Sequence, residues 1–334
     1  PLSLSINSVN FLKEKNIWDE NLIKSNLIES LHIKLFNSFN TIKISTSDIN
    51  LESIGEVVDK VSFLSHLRNL CKKKKNIDVM DNTELDINQL ESLSKIYLPN
   101  ESKALDFGQL IVTDGTNSKF AEKLNIPYKS INYDQTSYIF NSEYDSMEKS
   151  AAQIFTDKGV FAVLPGNGNK KSIVATIHNK FIDDFKFESN TVNKNLLESQ
   201  LLPYIKNLKN LKLIYKHPLN TARLDNWFFK GTLFLGNSSQ LLHPFGAQGF
   251  NFALDCVKKL DTQWEYLSIN DKSTEHVINN INKKRNELFN GIDLTSSLLM
   301  KNNILAAISS SFIAKILNLS TTVKKLFIKR ILNT

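Results

Sequence analysis

The stretch GTLFLGNSSQLLHPFGAQGFNFALDC, residues 231–256, constrains the fold more than any other part of the chain. An apolar run at 232–235 ends in Gly236, and a loop carrying Pro244, Gly246 and Gly249 follows. Apolar residues then recur at Phe250, Leu254, Val257 and Leu260, the spacing of one helical face. Glycine weakens regular structure, so glycines between a strand and a helix answer a local demand for positive φ or for close approach to the backbone. A helix start carries N–H groups without intrahelical partners and a partial positive charge. The predicted geometry is a strand end facing a helix N-terminus across bare backbone, a seat for an anion or an electron-rich ring. A plain glycine-rich connector has the same pattern, and the loop alone does not separate the two.

A second element reads LIVTDGTNS, residues 110–118. An apolar strand ends in Asp114-Gly115 and a polar turn follows. Asp-Gly also serves a simple hairpin turn. At the C-terminal edge of a strand, the same pair sits where α/β folds bind ligands.

The period of the pattern divides the chain. Residues 8–31, with a break near Asn16, and 57–70 read as amphipathic helices, and 77–80, 94–98 and 109–113 as short strands. Between 132 and 178 the period becomes two, with strands expected at 137–140, 152–155, 160–164 and 172–177 and a hairpin turn at Gly166-Asn167-Gly168-Asn169. Residues 196–208 read as helix, 211–215 and 232–235 as strand, and the chain from Phe250 onward as mostly helix. With 334 residues, two domains are expected. They fall at 1–130 plus 215–265, interrupted by an antiparallel sheet at 131–214 and followed by a helical region at 266–334.

Composition excludes several classes. The net charge of +7 comes from scattered lysines, apart from Lys72, Lys73, Lys74 and Lys75 and a C-terminal cluster. No basic face interleaved with aromatics marks a nucleic-acid site. Cys71 and Cys256 form no framework or CxxC pattern, which fits a reducing cytoplasm. The six histidines show no ligand spacing, so no metal site is expected. No apolar run reaches the ~18 residues of a spanning helix.

The two elements, in this order and separated by an antiparallel segment, resemble the flavin-dependent aromatic hydroxylases. That superfamily carries ADG-x-x-S followed by G-D-A-A-H-x-x-x-P-x-x-G-x-G-x-N; this chain reads TDGTNS and GNSSQLLHPFGAQGFN. Asn237 and Gln240, in place of Asp and His, resemble the ubiquinone-biosynthesis branch and its 2-polyprenyl-6-methoxyphenol hydroxylases. So do LSLSINSVNFLKEKNIW, QIFTDKGVFAVLP and HPLNTARLDNWFFKGTLFLGN. The likeness covers nearly the whole chain and weakens after about residue 260.

The resemblance implies an α/β fold: an FAD-binding Rossmann-like domain interrupted by an antiparallel substrate domain, with a helical tail. It implies FAD contacts at Asp114, Gly115, Gly236, Asn237, Pro244, Gly246, Ala247, Gln248, Gly249 and Asn251. It implies NAD(P)H as reductant and hydroxylation of a polyprenyl phenol by O2 through a flavin hydroperoxide. His243 and Arg223 are expected in structural or second-rank roles, Arg223 in a surface ion pair. Gly246-Ala247 inverts the branch's usual Ala-Gly order. The family's opening GxGxxG unit is absent, with no glycine before Gly55. The expectation is therefore an N-terminally truncated chain that binds FAD poorly by itself. Val323, Leu326, Phe327 and Ile331, flanked by Lys324, Lys325, Lys329 and Arg330, form a basic amphipathic pattern suited to an anionic membrane surface or to packing on its own domain. The resemblance also leaves open a non-catalytic partner in a ubiquinone-biosynthesis complex, or a hydroxylase for another phenol.

Overall fold

The computed structural model describes residues 1–36, 38, 41–83, 95–97, 104–145, 149–166, 170–189, 192–229, 231–263 and 272–299. The described residues divide into two compact units. One comprises 1–67, 132–219 and 294–299; the other comprises 68–131 and 220–293.

The first unit holds two sheets. In the smaller, strand Gly55–Val58 lies between Leu2–Ser5 and Ser25–Ile28, antiparallel to both. Helix Ile6–Glu14 follows the first strand and is capped by Ser5, whose hydroxyl accepts from Ser8 N. The pattern over 8–31 is helix only as far as Glu14; the expected break falls at Asn16, which takes φ 55°, and beyond it the chain turns at Leu22 and becomes strand from Ser25. Val9 and Leu12 are buried on helix Ile6–Glu14, whereas Leu22 and Leu27, beyond the break, are exposed, and pairing with 55–58 satisfies the backbone of 25–28 instead. The helix expected at 57–70 likewise starts later. Val57 and Val58 belong to the strand, and Asp59 Oδ2 accepts from Ser62 N at the start of helix Lys60–Lys73. Residues 77–80 form no strand.

The larger sheet runs Gln240–Leu241, Lys206–Leu224, Tyr128–Asp145, Lys170–His178, Gly159–Leu164, Ser150–Phe155, Ser30–Lys34 and Thr41–Ser45. The expected meander is present at its centre, with antiparallel pairing from 135 through 178. The hairpin residues 167–169 lie outside the described set. Alternation places Tyr138, Phe140, Ile154, Phe161, Ile173, Ala175 and Ile177 on one face. Phe185, Phe187, Leu197 and Leu201 cover that face, with ring centroids 4.8–5.0 Å apart from Phe187 to Phe185, Phe140 and Tyr138. The helix expected over 196–208 spans only Lys194–Leu201, because Pro203 cannot continue it and a strand begins at Lys206.

The second unit positions the glycine loop. Strand Thr232–Phe234 lies between Leu110–Val112, parallel, and Phe228–Phe229, antiparallel. Helices Gln248–Gln263 and Lys272–Leu299 share the core of this sheet, contributing Phe252, Cys256 and Leu260 from the first and Val277, Ile278 and Ile281 from the second. Trp227 is the largest fully buried side chain there. Of the face expected at Phe250, Leu254, Val257 and Leu260, only Leu260 is buried; the buried stripe of helix Gln248–Gln263 is Phe252–Cys256–Leu260, and Val257 is exposed. The loop sets where the first turn begins, and so rotates the stripe from the one read in sequence. Lys259 and Lys284 both pair with Asp255 at 3.1 Å. Residues 300–334, with the basic amphipathic pattern, lie outside the described residues.

Candidate functional site

Two neighbouring parallel strands deliver both motifs to one edge. Phe234 pairs with Val112, and Leu235 N donates to Val112 O at 3.0 Å. Two residues beyond that pair stand Asp114 and Gly236. Ser238 stitches the strand ends together, its Oγ donating to Val112 O at 2.8 Å and to Leu235 O at 2.7 Å. Tyr128 Oη donates to Ser238 O at 2.7 Å.

On the Asp114 side, Gly115 takes φ 88° and Asn117 φ 59°. Ser118 closes the turn. Its hydroxyl donates to Asp114 Oδ2 at 2.9 Å and accepts from Ala121 N at 3.1 Å, capping helix Lys119–Lys123. Asp114 remains exposed.

On the glycine-loop side, Gly236 takes φ 65°, and its carbonyl accepts from Ser239 N and Ser239 Oγ. Asn237 is exposed, while Ser238, Ser239, Gln240 and His243 are buried. Pro244, Gly246 and Ala247 are exposed again. Gly246 and Ala247 both take positive φ, 65° and 52°. The inverted Gly-Ala order therefore puts an L-residue in the left-handed region, where Cβ crowds the carbonyl. Asn251 pins it, its Nδ2 donating to Ala247 O at 2.8 Å. Gln248 opens the 16-residue helix, and no acidic residue occupies its first turn to offset the positive end of the dipole. Gln248 and Asn251 are buried.

The donors and the open space fit a flavin. A Cβ added at Gly115, Gly236 or Gly249 meets nothing within 4 Å, so bare backbone faces room for a ligand. Exposed Asp114 and Asn237 offer acceptors for hydroxyl groups, and the helix start offers N–H groups for negative charge. The amide of buried Gln240 has no hydrogen-bond partner among the described residues. Of the ten expected contact residues, all lie in this unit, on the strand ends, the loop or the helix start.

Sequence reasoning missed two supports. Tyr128 holds Ser238 O through its hydroxyl. Arg285 reaches in from helix Lys272–Leu299, and its Nη2 donates to Ser239 O at 3.0 Å and to Leu224 O. No local pattern marks these contacts, because they end on backbone carbonyls. Arg223, expected in a surface ion pair, is half-buried instead; it donates to Asn286 Oδ1 at 2.7 Å and lies 4.9 Å from the centre of the Phe289 ring.

No protein-family model matches the chain. The chain is similar to the ubiquinone biosynthesis monooxygenase COQ6, mitochondrial, of Caenorhabditis elegans, with 22% identity over 78% of this chain and 66% of that relative. The Dictyostelium discoideum protein of the same name is also 22% identical, over 98% of this chain and 79% of its own length. Among solved structures, p-nitrophenol 4-monooxygenase PnpA from Pseudomonas putida matches at TM-score 0.72 and 11% identity, over 99% of this chain and 88% of that one. The fold is shared with solved structures of FAD-dependent monooxygenases. In sequence the chain is similar, at 22% identity, to proteins named as ubiquinone biosynthesis monooxygenases and a ubiquinone hydroxylase. Among the described residues, no helix is long and apolar enough to cross a membrane.

Proposed function

We propose that the protein hydroxylates the phenol ring of a polyprenylated ubiquinone precursor, with FAD as cofactor, NAD(P)H as reductant and O2 as oxidant. The observation that carries this reading is the meeting of Asp114-Gly115 and Gly236-Asn237 at the ends of two paired parallel strands, followed by a helix start. Bound FAD would supply the redox and oxygen-transfer chemistry. The chain's own residues would do the rest. Asp114 and Asn237 accept hydrogen bonds from cofactor hydroxyls. Backbone N–H groups around Gly246 to Gly249, apart from that of Ala247, which donates to Pro244 O at 3.1 Å, would face negative charge on the reduced ring, where a helix start stabilises it without reorganising. The bare glycines at 115, 236 and 249 admit the ligand to the backbone. No side-chain acid or base is assigned, because the cofactor performs the hard step.

Residues 131–214 are proposed as the substrate-bearing part and 1–130 plus 215–265 as the FAD-binding part. The long isoprenoid tail of such a substrate favours work at a membrane surface, with the basic pattern at 323–331 as the anchor.

The test is to purify the complete protein, record its flavin absorbance and supply a short-chain prenyl phenol with NADH or NADPH. Expected are a yellow protein, phenol-stimulated oxidation of the reduced nucleotide and a product carrying one atom from labelled O2. A folded protein that takes up no FAD would refute the enzymatic reading and leave the non-catalytic partner.

A further inference from the structure

We infer that Arg285 is the positioning residue of the glycine loop, fixing the turn that presents Gly236 and Asn237 and placing beside it a positive charge that no carboxylate hydrogen-bonds. The inference rests on the flavin reading above. Arg285 is 1% exposed, yet none of its hydrogen-bond partners is a carboxylate. Buried charges are ordinarily paired, so an unpaired one calls for a reason.

The geometry supplies one. Nη2 bridges Leu224 O and Ser239 O, and Nη1 donates to Asn282 Oδ1 on its own helix at 3.0 Å. Ser239 O also accepts from Leu224 N at 2.9 Å. Ser239 in turn holds Gly236 O through both its N–H, at 3.1 Å, and its hydroxyl, at 3.0 Å. A continuous chain of bonds thus runs from the guanidinium to the residue where the cofactor meets the backbone. Both carbonyls are held by the one nitrogen Nη2, while Nη1 reaches Asn282 Oδ1; a lysine has a single nitrogen on a flexible stem and cannot hold all three acceptors in that geometry.

The charge has a second consequence. Burial, with Arg223 nearby, pulls the pKa of Arg285 down to about 9, which leaves it charged at neutral pH. A buried cation near the loop favours the anionic, reduced form of a flavin held there. A strut acting only through packing would not move a reduction potential.

The experiment uses the complete protein and three variants: Arg285→Lys, Arg285→Met and Ile278→Ala. Ile278 lies in the same helix and core and serves as a control for lost stability. FAD dissociation constant, midpoint potential of bound flavin and melting temperature are read for each. Arg285→Lys is expected to weaken FAD binding about tenfold or more, the loss of one charge-assisted bond, while keeping the potential near wild type. Arg285→Met is expected to weaken binding and lower the potential, and Ile278→Ala to lower only the melting temperature. Should Arg285→Met not fold, Arg285→Lys against Ile278→Ala still decides. If Arg285→Lys binds FAD as tightly as Ile278→Ala, the role of Arg285 is overturned and the functional reading stands. If the wild type takes up no FAD, the functional reading falls and this inference with it.

Discussion

Replacing Ala247 by glycine should stabilise the protein, although it removes a side chain. Ala247 takes φ 52°, directly after Gly246 at φ 65°. A left-handed L-residue costs about 1–2 kcal/mol through the Cβ–carbonyl clash. Glycine escapes that cost but loses about 0.5–1 kcal/mol more conformational entropy on folding. The methyl group is exposed, so its removal forfeits little packing, and the Asn251 bond to Ala247 O is made by backbone and survives. The net gain is about 0.5–1 kcal/mol. With a urea slope of about 2–3 kcal/mol/M, the midpoint rises by about 0.3 M. Urea unfolding of wild type, Ala247→Gly and Ala247→Val at matched concentration, followed by tryptophan fluorescence, reads the shift. Valine at this φ is a steric outlier and should lose about 1 kcal/mol or more. A glycine variant no more stable than wild type, alongside a harmless valine, would refute the strain argument and the loop conformation behind it.

Three further outcomes are expected. Ser118→Ala removes the cap on helix Lys119–Lys123 and the tether on Asp114, and should cost about 1 kcal/mol by urea unfolding while weakening flavin uptake. Asp114→Ala removes an exposed carboxylate, so stability should stay within about 0.5 kcal/mol while FAD titration shows a clear loss of affinity; equal affinity would remove Asp114 from the site. Burial pushes the Cys256 thiol up to about 12, with Asp255 adding to the shift, so almost no thiolate forms at pH 8. A thiol reagent should then modify only the more accessible Cys71 in the native protein and both cysteines after denaturation. Fast native labelling of Cys256 would contradict the packing of helix Gln248–Gln263.

Much of this protein was legible in one dimension. Period-two alternation from 137 to 177 fixed the central strands, because a sheet with one face covered by helices must bury every second residue. The two motifs were equally legible, since a turn that needs positive φ and open backbone admits few residues besides glycine. The same logic failed where local preference was weak. Residues 25–31 were read as the end of a helical pattern, yet pairing with 55–58 and 149–154 makes them strands. The face of helix Gln248–Gln263 was misread because its phase depends on where the loop lets the first turn begin. The meeting of Asp114 with Gly236, the left-handed turn at Ala247 and the reach of Arg285 to two carbonyls depend on tertiary structure. They join residues more than 40 positions apart or act through backbone atoms, and backbone atoms carry no signature in sequence.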